Sequence, residues 1–334
     1  MRDILSNAAT GTASAAPATD LIGVMPDLQA IVQTTLNLGF DDVYLRDFAG
    51  DTGDPHSGPL STSPDIIVLP AGVDNFIYAR VRNRGSKAGV NAQVTVYWSE
   101  VATLVTPNMW NFVGTTSLAN VPVGNVLTVS NAINWPAASL PAVGHHCFVS
   151  TVATADDPVP PLANLNNFTN FENFIRNNNN VTWRNFNVVN ASPSDPMEFL
   201  IAGAFDRALP MGLEVIARLP EGAKLVLEAP PHLLERMGYE GPQFKTKGNV
   251  SFLNLHPHGA QKLGVLEFPA KLRAKLRLVA TIPKEAAKRS GWRVDVRQYL
   301  PKDNFEVGRV SWYFASPDFF KRRREMEAQL FAKK

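Results

Sequence analysis

Short carboxylates are concentrated in one stretch of the chain, residues 41–67 (DDVYLRDFAGDTGDPHSGPLSTSPDII), which holds six aspartates and three glycines. Calcium ions take about six to eight hard oxygen ligands, and aspartates spaced between glycine turns can supply them. The best-placed candidates are Asp47, Asp51 and Asp54, although their spacing differs from the EF-hand pattern. The alternative is a set of turns capped by aspartate side chains, with Arg46 paired to one of them. The sequence leaves both interpretations open.

The histidines and the single cysteine form no recognisable catalytic pattern. His145 and His146 precede Cys147, and His256 and His258 lie two residues apart. Two imidazoles do not make a zinc site, and no third ligand follows at a suitable spacing. The HExxH, GxSxG and phosphate-loop motifs are absent from the sequence. We therefore predict no catalytic residues, no enzymatic activity, and no cofactor other than the Ca²⁺ that the acidic stretch suggests.

A row of cations forms a second candidate site. Residues 271–282 and 292–297 both alternate apolar with charged positions, as strands do when one face is wet and the other is buried. If these strands are neighbours, six cations line one sheet face: Lys271, Arg273, Lys275, Arg277, Arg293 and Arg297. Such a face suits an acidic protein or glycan. Nucleic acid is not favoured, because no aromatic residues interleave with the cations. The alternative is a solvated face whose charge is relieved by Asp295 and nearby glutamates.

The charge of the chain is divided between its halves. Residues 1–190 carry 8 basic and 14 acidic residues, a net charge of −6, whereas residues 191–334 carry 24 and 16, a net charge of +8. An acidic half followed by a basic half indicates two domains with different surfaces. It also provides opposite charges for contact within or between chains.

These residues must lie on or between β-strands, because apolar and polar residues alternate with a period of two in many short segments of the chain. Residues 75–83 (NFIYARVRN) alternate, and residues 91–98 (NAQVTVYW) alternate again after a turn. Short strands punctuated by Gly, Pro and Asn predict antiparallel β-sandwiches. Further strands are predicted at residues 111–118, 125–129, 145–153, 181–189, 197–204, 213–218, 223–228, 250–255, 262–268, 271–282 and 305–314.

The predicted architecture is all-β, with two tandem antiparallel β-sandwiches and a C-terminal helix. The boundaries are a flexible tail and lead-in at residues 1–40, sandwiches at 41–190 and 191–315, and a basic helix at 316–334. Single-turn helices are predicted at residues 231–237 and 284–289. Residues 161–190 contain 12 asparagines. Because asparagine favours turns, we predict an ordered loop there, followed by the strand at 181–189.

Several motifs of the first half resemble a module of large secreted bacterial proteins. They are VYLRDFAGDTGDP, TSPDIIV, YARVRNRGS, VTVYWS, GHHCFVSTVATADDP and NNNNVTWRNFNVV, within residues 41–190. This stretch is similar to CARDB-like, immunoglobulin-like domains, which serve that family as accessory or interaction modules. Residues 308–314 (GRVSWYF) are similar to the last strand of another such sandwich. The resemblance implies immunoglobulin-like sandwiches and an extracellular or cell-surface location.

Two classes of function follow from these features. The first is a non-enzymatic structural or interaction protein that self-assembles through its oppositely charged domains. The alternative is a binding module for carbohydrate or a cell-surface ligand, assisted by Ca²⁺, in which Trp110, Trp135 or Trp183 stacks on sugar rings. No apolar run reaches the about 18 residues of a membrane span. The first 20 residues lack the apolar core of a secretory signal.

Overall fold

The computed structural model shows two compact units. It describes residues 28–30, 43–46, 75–83, 85–123, 128–141, 146–178, 180–184, 186–190, 196–236, 244–288 and 292–315. The first unit comprises Met1–Val101 and Val105–Asn185, and the second comprises Ala102–Leu104 and Phe186–Lys334. Most of the acidic stretch, nearly all of the predicted N-terminal tail and the whole predicted C-terminal helix lie outside the described residues.

Two antiparallel sheets form the first unit. Its strands are β1 (Leu28–Ala30), β2 (Val43–Arg46), β3 (Asn75–Asn83), β4 (Gly89–Glu100), β5 (Asn111–Val121), β6 (Thr128–Val129), β7 (Ile133–Trp135), β8 (His146–Ala153) and β9 (Val181–Arg184). Strand β3 is the centre of one sheet and pairs with β1, β2, β6 and β7, whereas the other sheet has the order β5-β4-β8-β9. The strands predicted at residues 75–83 and 91–98 are confirmed, because β3 and β4 cover them.

The core of the first unit lies between these two sheets. Alternate residues of β3, namely Ile77, Ala79 and Val81, are buried together with inward residues of β4, β5, β7 and β8. The Trp135 side chain is 1% exposed, and its ring meets the Phe148 ring at a centroid distance of 5.6 Å. The period of two therefore marks a strand face that is buried in the sandwich.

A helix occupies part of the asparagine-rich segment, where a loop was predicted. Helix α1 (Phe168–Asn177) begins after Asn167, whose side chain accepts a hydrogen bond from the backbone N–H of Asn170 at 2.9 Å. Phe168, Phe171, Phe174 and Ile175 are buried on one side of the helix. Their spacing of three and four residues is the helical signal. The loop prediction is wrong, because burial of these four apolar side chains stabilises a helix in spite of the turn preference of the asparagines.

Two five-stranded sheets form the second unit. Its strands are β10 (Phe186–Asn190), β11 (Met197–Ala202), β12 (Leu209–Arg218), β13 (Lys224–Ala229), β14 (Lys245–Lys247), β15 (Val250–Leu255), β16 (His258–Phe268), β17 (Arg273–Thr281), β18 (Trp292–Leu300) and β19 (Phe305–Ala315). The sheet orders are β10-β19-β18-β12-β16 and β11-β17-β13-β15-β14. Helices α2 (Pro231–Arg236) and α3 (Lys284–Ala287) form where single-turn helices were predicted.

One predicted strand is divided between the two units. The strand predicted at residues 181–189 is instead β9, which pairs antiparallel with β8 in the first unit, and β10, which pairs parallel with β19 in the second. Strand β10 makes the one parallel pairing between the described strands of this unit. A continuous apolar alternation does not reveal such a break, because both strands have the same period.

The second unit has its own core between its two sheets. From β17 it buries Leu276, Leu278 and Ala280, which alternate with the charged residues of that strand. A ring contact crosses the core, where Phe199 of β11 meets Trp312 of β19 at 5.4 Å. Together with the first unit, this arrangement confirms the prediction of an all-β protein built from antiparallel β-sandwiches.

Residues 102–104 are buried in the second unit although they lie between β4 and β5 in the sequence. Ala102 forms a parallel bridge with Leu200 of β11, and the Thr103 N–H donates to the Leu200 carbonyl at 2.8 Å. The Thr103 hydroxyl donates to Oε1 of Gln298 at 2.6 Å. A Cβ added to Gly308 would lie 1.8 Å from the Thr103 carbonyl oxygen, so only glycine fits beneath the segment.

Candidate functional site

The acidic candidate site lies outside the described residues. This applies to Asp47, Asp51 and Asp54, so calcium binding there stays a prediction from the sequence. The neighbouring Arg46 ends strand β2, which pairs with β3. Within the described part of the chain, no group of three His, Cys, Asp or Glu side chains is placed to hold a metal ion.

The six predicted cations do not share one face. Arg273, Lys275 and Arg277 lie on β17, and Lys271 precedes that strand in a turn with a φ of 58°. Arg293 and Arg297 lie on β18, which belongs to the other sheet of the second unit. The prediction of a single six-cation face required β17 and β18 to be neighbours in a sheet. The chain instead crosses from one sheet to the other after β17, so the six cations form two groups.

The first group, on β18, belongs to a network of charges. This network consists of Glu214 from β12, Arg293, Asp295 and Arg297 from β18, and Glu306 and Arg309 from β19. Arg293 contacts the Asp295 carboxylate at 2.7 Å, and the Ser311 hydroxyl donates to the same carboxylate. Arg297 pairs with Glu214 and also donates to Oδ1 of Asn304 at 2.7 Å. Three arginines therefore meet three carboxylates.

The centre of the network is the Glu306–Arg309 pair. Arg309 donates two hydrogen bonds to the Glu306 carboxylate, at 2.9 and 2.7 Å, and approaches Asp295 at 3.6 Å. Burial by itself would raise the pKa of the Glu306 carboxyl. The hydrogen bonds and charge of Arg309, with the charge of Arg297, outweigh that effect and hold the pKa below its ordinary value. Glu306 is therefore ionised at neutral pH.

Tyr299 packs beside the charge network, where its ring contacts Arg297. Its ring stacks on Gly212 of β12, where an added Cβ would lie 2.1 Å from the ring. The Arg297 guanidinium lies 4.9 Å from the ring centroid and the Lys262 ammonium 5.5 Å from it. Burial, together with the nearby charge of Glu214, raises the pKa of the Tyr299 phenol. For Arg293 and Arg297 the structure thus agrees with the charge relief by Asp295 and nearby glutamates in the alternative above, but these side chains are largely buried and do not form a solvated face.

Three cations of the second group, Arg273, Lys275 and Arg277, belong to an accessible surface, which we call the basic face. It is the outer face of the sheet β11-β17-β13-β15-β14, opposite the core. Cross-strand register places its six cations on this side: Lys224, Lys245, Lys247, Arg273, Lys275 and Arg277. Two glutamates share it, with Lys275 pairing with Glu198 at 2.9 Å and Arg277 with Glu228 at 3.2 Å. Among the described residues of this sheet, six cations therefore share the face with two carboxylates.

Apolar side chains lie among the charges of the basic face. Val226 of β13 is directly opposite Val279 of β17, and Phe252 of β15 is opposite Glu228. All three apolar side chains are half-buried. A surface that combines exposed cations with half-buried apolar side chains resembles the polar rim and apolar centre of a protein–protein interface.

A cluster of aromatic rings lies on the outer face of the first unit. The Tyr97 ring meets the Trp110 ring at 5.4 Å and the Phe112 ring at 6.0 Å, and Trp110 also meets Phe171 of α1 at 6.4 Å. Phe112 is 63% exposed. Of the three tryptophans considered for sugar stacking, Trp135 is buried in the core, and the Trp183 side chain lies outside the described residues. Trp110 is half-buried. The sequence carried no signal for Tyr97 and Phe112 as partners.

The histidines and the cysteine occupy different environments. Cys147 is fully buried, as its small apolar side chain predicts. The His146 ring packs edge-on against Trp98 at 5.3 Å, and His145 lies outside the described residues. His256 lies between β15 and β16, and His258 is the first residue of β16; both are exposed.

Comparisons with known proteins do not assign the chain to a family. No protein-family model and no curated protein matches the sequence. Among solved structures, the CupB6 tip adhesin from Pseudomonas aeruginosa is 10% identical, with 73% of this chain and 90% of that chain covered, at a TM-score of 0.17. CBD12 from CALX1.2 is 10% identical, with 71% and 92% covered, at a TM-score of 0.15. The C-terminal globular domain of an oligosaccharyltransferase from Pyrococcus abyssi is 8% identical, with 73% and 44% covered, at a TM-score of 0.13.

Likenesses at these TM-scores carry no argument about function. The resemblance of residues 41–190 to CARDB-like domains remains an inference from sequence motifs. Helices are short throughout the described residues, and none is long and apolar enough to cross a membrane.

Proposed function

We propose that this chain is a non-enzymatic interaction protein whose basic face binds an acidic protein surface. The observation that carries the proposal is the set of six cations, beside two carboxylates among the described residues of one sheet face, with half-buried apolar side chains between them. The charge network on the other sheet shows that this unit can neutralise arginines internally. Among the described residues of the basic face, cations outnumber carboxylates, which suits a negatively charged partner.

The first partner to test is a second copy of the chain. Residues 1–190 carry a net charge of −6, opposite in sign to the +8 of residues 191–334. A contact between unlike halves of two copies is heterologous, and such contacts build rings or filaments. Both the resemblance to accessory modules of secreted proteins and the separation of charge support self-association at a cell surface.

Sedimentation velocity over a series of concentrations tests the proposal. We expect the wild-type chain to associate at low ionic strength and to dissociate as salt rises, because exposed charges are screened beyond about 10 Å at 0.1 M salt. Arg273→Glu should weaken the association at least about tenfold, since it replaces attraction by repulsion. Arg218→Glu is the matched control, because Arg218 is exposed on the other sheet of the same unit.

Two outcomes would count against this function. One is a monomer that shows no salt dependence and binds no acidic protein. The other is equal weakening by Arg273→Glu and Arg218→Glu, which would indicate a general charge effect and not a defined face.

Calcium binding by Asp47, Asp51 and Asp54 is a separate proposal that rests on the sequence. A ligand that binds the native state must raise its melting temperature. We expect chelator-treated protein to melt at a higher temperature when Ca²⁺ is added, and Asp51→Asn to reduce that shift. An unchanged melting temperature would exclude a stabilising site.

A further inference from the structure

The aromatic cluster of the first unit, Tyr97, Trp110 and Phe112, has the features of a ligand site. It is a different surface from the basic face, which lies on the second unit. Phe112 is the one aromatic side chain among the exposed large apolar residues of the described chain. Register pairs it with Tyr97 across strands β5 and β4, so both rings lie on the outer face. Trp110 adjoins them, and its indole N–H is held by the Val105 carbonyl at 3.2 Å. The three rings are thus fixed side by side at the surface.

Hydroxyl groups accompany these rings. Thr95 and Thr115 form the next outward cross-strand pair, two residues from Tyr97 and three from Phe112 because of a bulge, and their exposed hydroxyls are 3.0 Å apart. Burial raises the pKa of the Tyr97 phenol, so this hydroxyl stays protonated and can donate.

The cluster carries almost no charge. Glu100 is the one charged residue in strands β4 and β5, and Arg176 of α1 pairs with Glu172 at 2.8 Å. A polyanion such as single-stranded nucleic acid needs cations along its backbone in addition to stacking rings. A stable protein interface needs about 800 Å² from each partner, far more than one exposed ring with two half-buried neighbours.

We propose that Tyr97, Trp110 and Phe112 form a binding site for a neutral saccharide. The C–H face of a pyranose ring is complementary to the negative face of an aromatic ring. Its hydroxyls can exchange hydrogen bonds with the Thr95 and Thr115 side chains. Ligand sites typically combine an aromatic lining with a few fixed polar groups, as here. The site lies in the first unit and is independent of the basic face.

Titration calorimetry with the full chain tests this site. The probes are three neutral oligosaccharides, cellopentaose, maltopentaose and chitopentaose, with a heparin fragment as the anionic comparison. We expect at least one neutral probe to bind with a Kd below about 5 mM, and the heparin fragment not to compete for this site. Phe112→Ala should weaken that binding at least about tenfold through loss of the stacking surface.

Two further variants separate stacking from general hydrophobicity. Phe112→Trp keeps a stacking face and should retain binding, whereas Phe112→Leu keeps an apolar side chain and should lose it. Val90→Ala is the control, because Val90 is 59% exposed on the same strand as Tyr97. Absence of binding to all three neutral probes at about 10 mM would overturn the proposal. Undiminished binding by Phe112→Leu would also overturn it.

Discussion

Thr103→Val removes one hydroxyl from a segment that is fully enclosed in the second unit. Thr103 and Gln298 are both 0% exposed, and the lost hydrogen bond, 2.6 Å long, joins the Thr103 hydroxyl to the Gln298 amide oxygen. Valine keeps the branched shape, so the main loss is the donor. The amide nitrogen of Gln298 keeps its bond to the Ala202 carbonyl at 2.8 Å. The amide oxygen, however, is left buried without its donor.

The expected cost follows from that buried oxygen. A buried polar group that loses its partner costs about 1–3 kcal/mol. With a urea m-value of about 2 kcal/mol/M, the unfolding midpoint of the second unit should fall by about 0.5–1.5 M. Thr115→Val makes the same chemical change at an exposed threonine of the first unit and should change stability by less than about 0.5 kcal/mol.

Urea titration followed by circular dichroism and tryptophan fluorescence measures both variants. A double-mutant cycle with Gln298→Met isolates the pair, and we expect a coupling energy of about 1 kcal/mol or more. Gly308→Ala tests the same packing by another route, because its Cβ would lie 1.8 Å from the Thr103 carbonyl oxygen. If Thr103→Val unfolds at the wild-type midpoint and shows no coupling to Gln298, residues 102–104 do not anchor the second unit.

Three further predictions concern other buried contacts. Gly212→Ala should destabilise the second unit by about 1–3 kcal/mol through overpacking, because its Cβ would lie 2.1 Å from the Tyr299 ring. Melting curves should show partial recovery of stability when Tyr299→Leu is added, and no recovery would place the strain elsewhere. The depressed pKa of Glu306 contributes stability that is complete above the unfolded glutamate pKa of about 4.3 and is lost as pH falls through the folded pKa. In the Glu306→Gln variant the urea unfolding midpoint should therefore decrease less steeply as pH falls below about 5. The same pH dependence in the variant and the wild type would contradict the pairing of Glu306 with Arg309. Asn83→Ala should lower the unfolding midpoint of the first unit, because the buried amide bonds the carbonyls of Lys87 and Val121 and the N–H of Gly85; an unaltered midpoint would show that water replaces all three bonds.

The strands were predictable from the sequence because their signal is local. A period of two places Leu276, Leu278 and Ala280 on one face of β17 whatever that strand pairs with, and these residues are buried. The same holds for Ile77, Ala79 and Val81 in β3. Helix α1 also has a local signal, the spacing of its apolar residues by three and four positions. The low helix preference of asparagine obscures that signal in the sequence, and burial of the apolar side chains stabilises the helix in the folded protein.

The candidate sites were less predictable because they depend on which strands meet. The alternation in β17 and β18 correctly placed cations away from the core, but it contains no information on sheet membership. Arg297 meets Glu214 and Glu306 only because β12, β18 and β19 are neighbours. Lys245 joins Arg277 on the basic face through two intervening strands. Pairings of that kind are set by non-local packing.

By itself the sequence determined the class of fold, the buried face of most strands and the separation of charge between the halves, because each of these follows from residue type and short-range spacing. The tertiary structure alone decided that two arginines of the predicted basic row are neutralised, and that Arg273, Lys275 and Arg277 share an accessible face with three lysines of other strands. It also brought Tyr97, Trp110 and Phe112 together at one surface. A strand of given period can pair with any other, so the choice of neighbours, and with it every composite surface, is made only when the sheets pack.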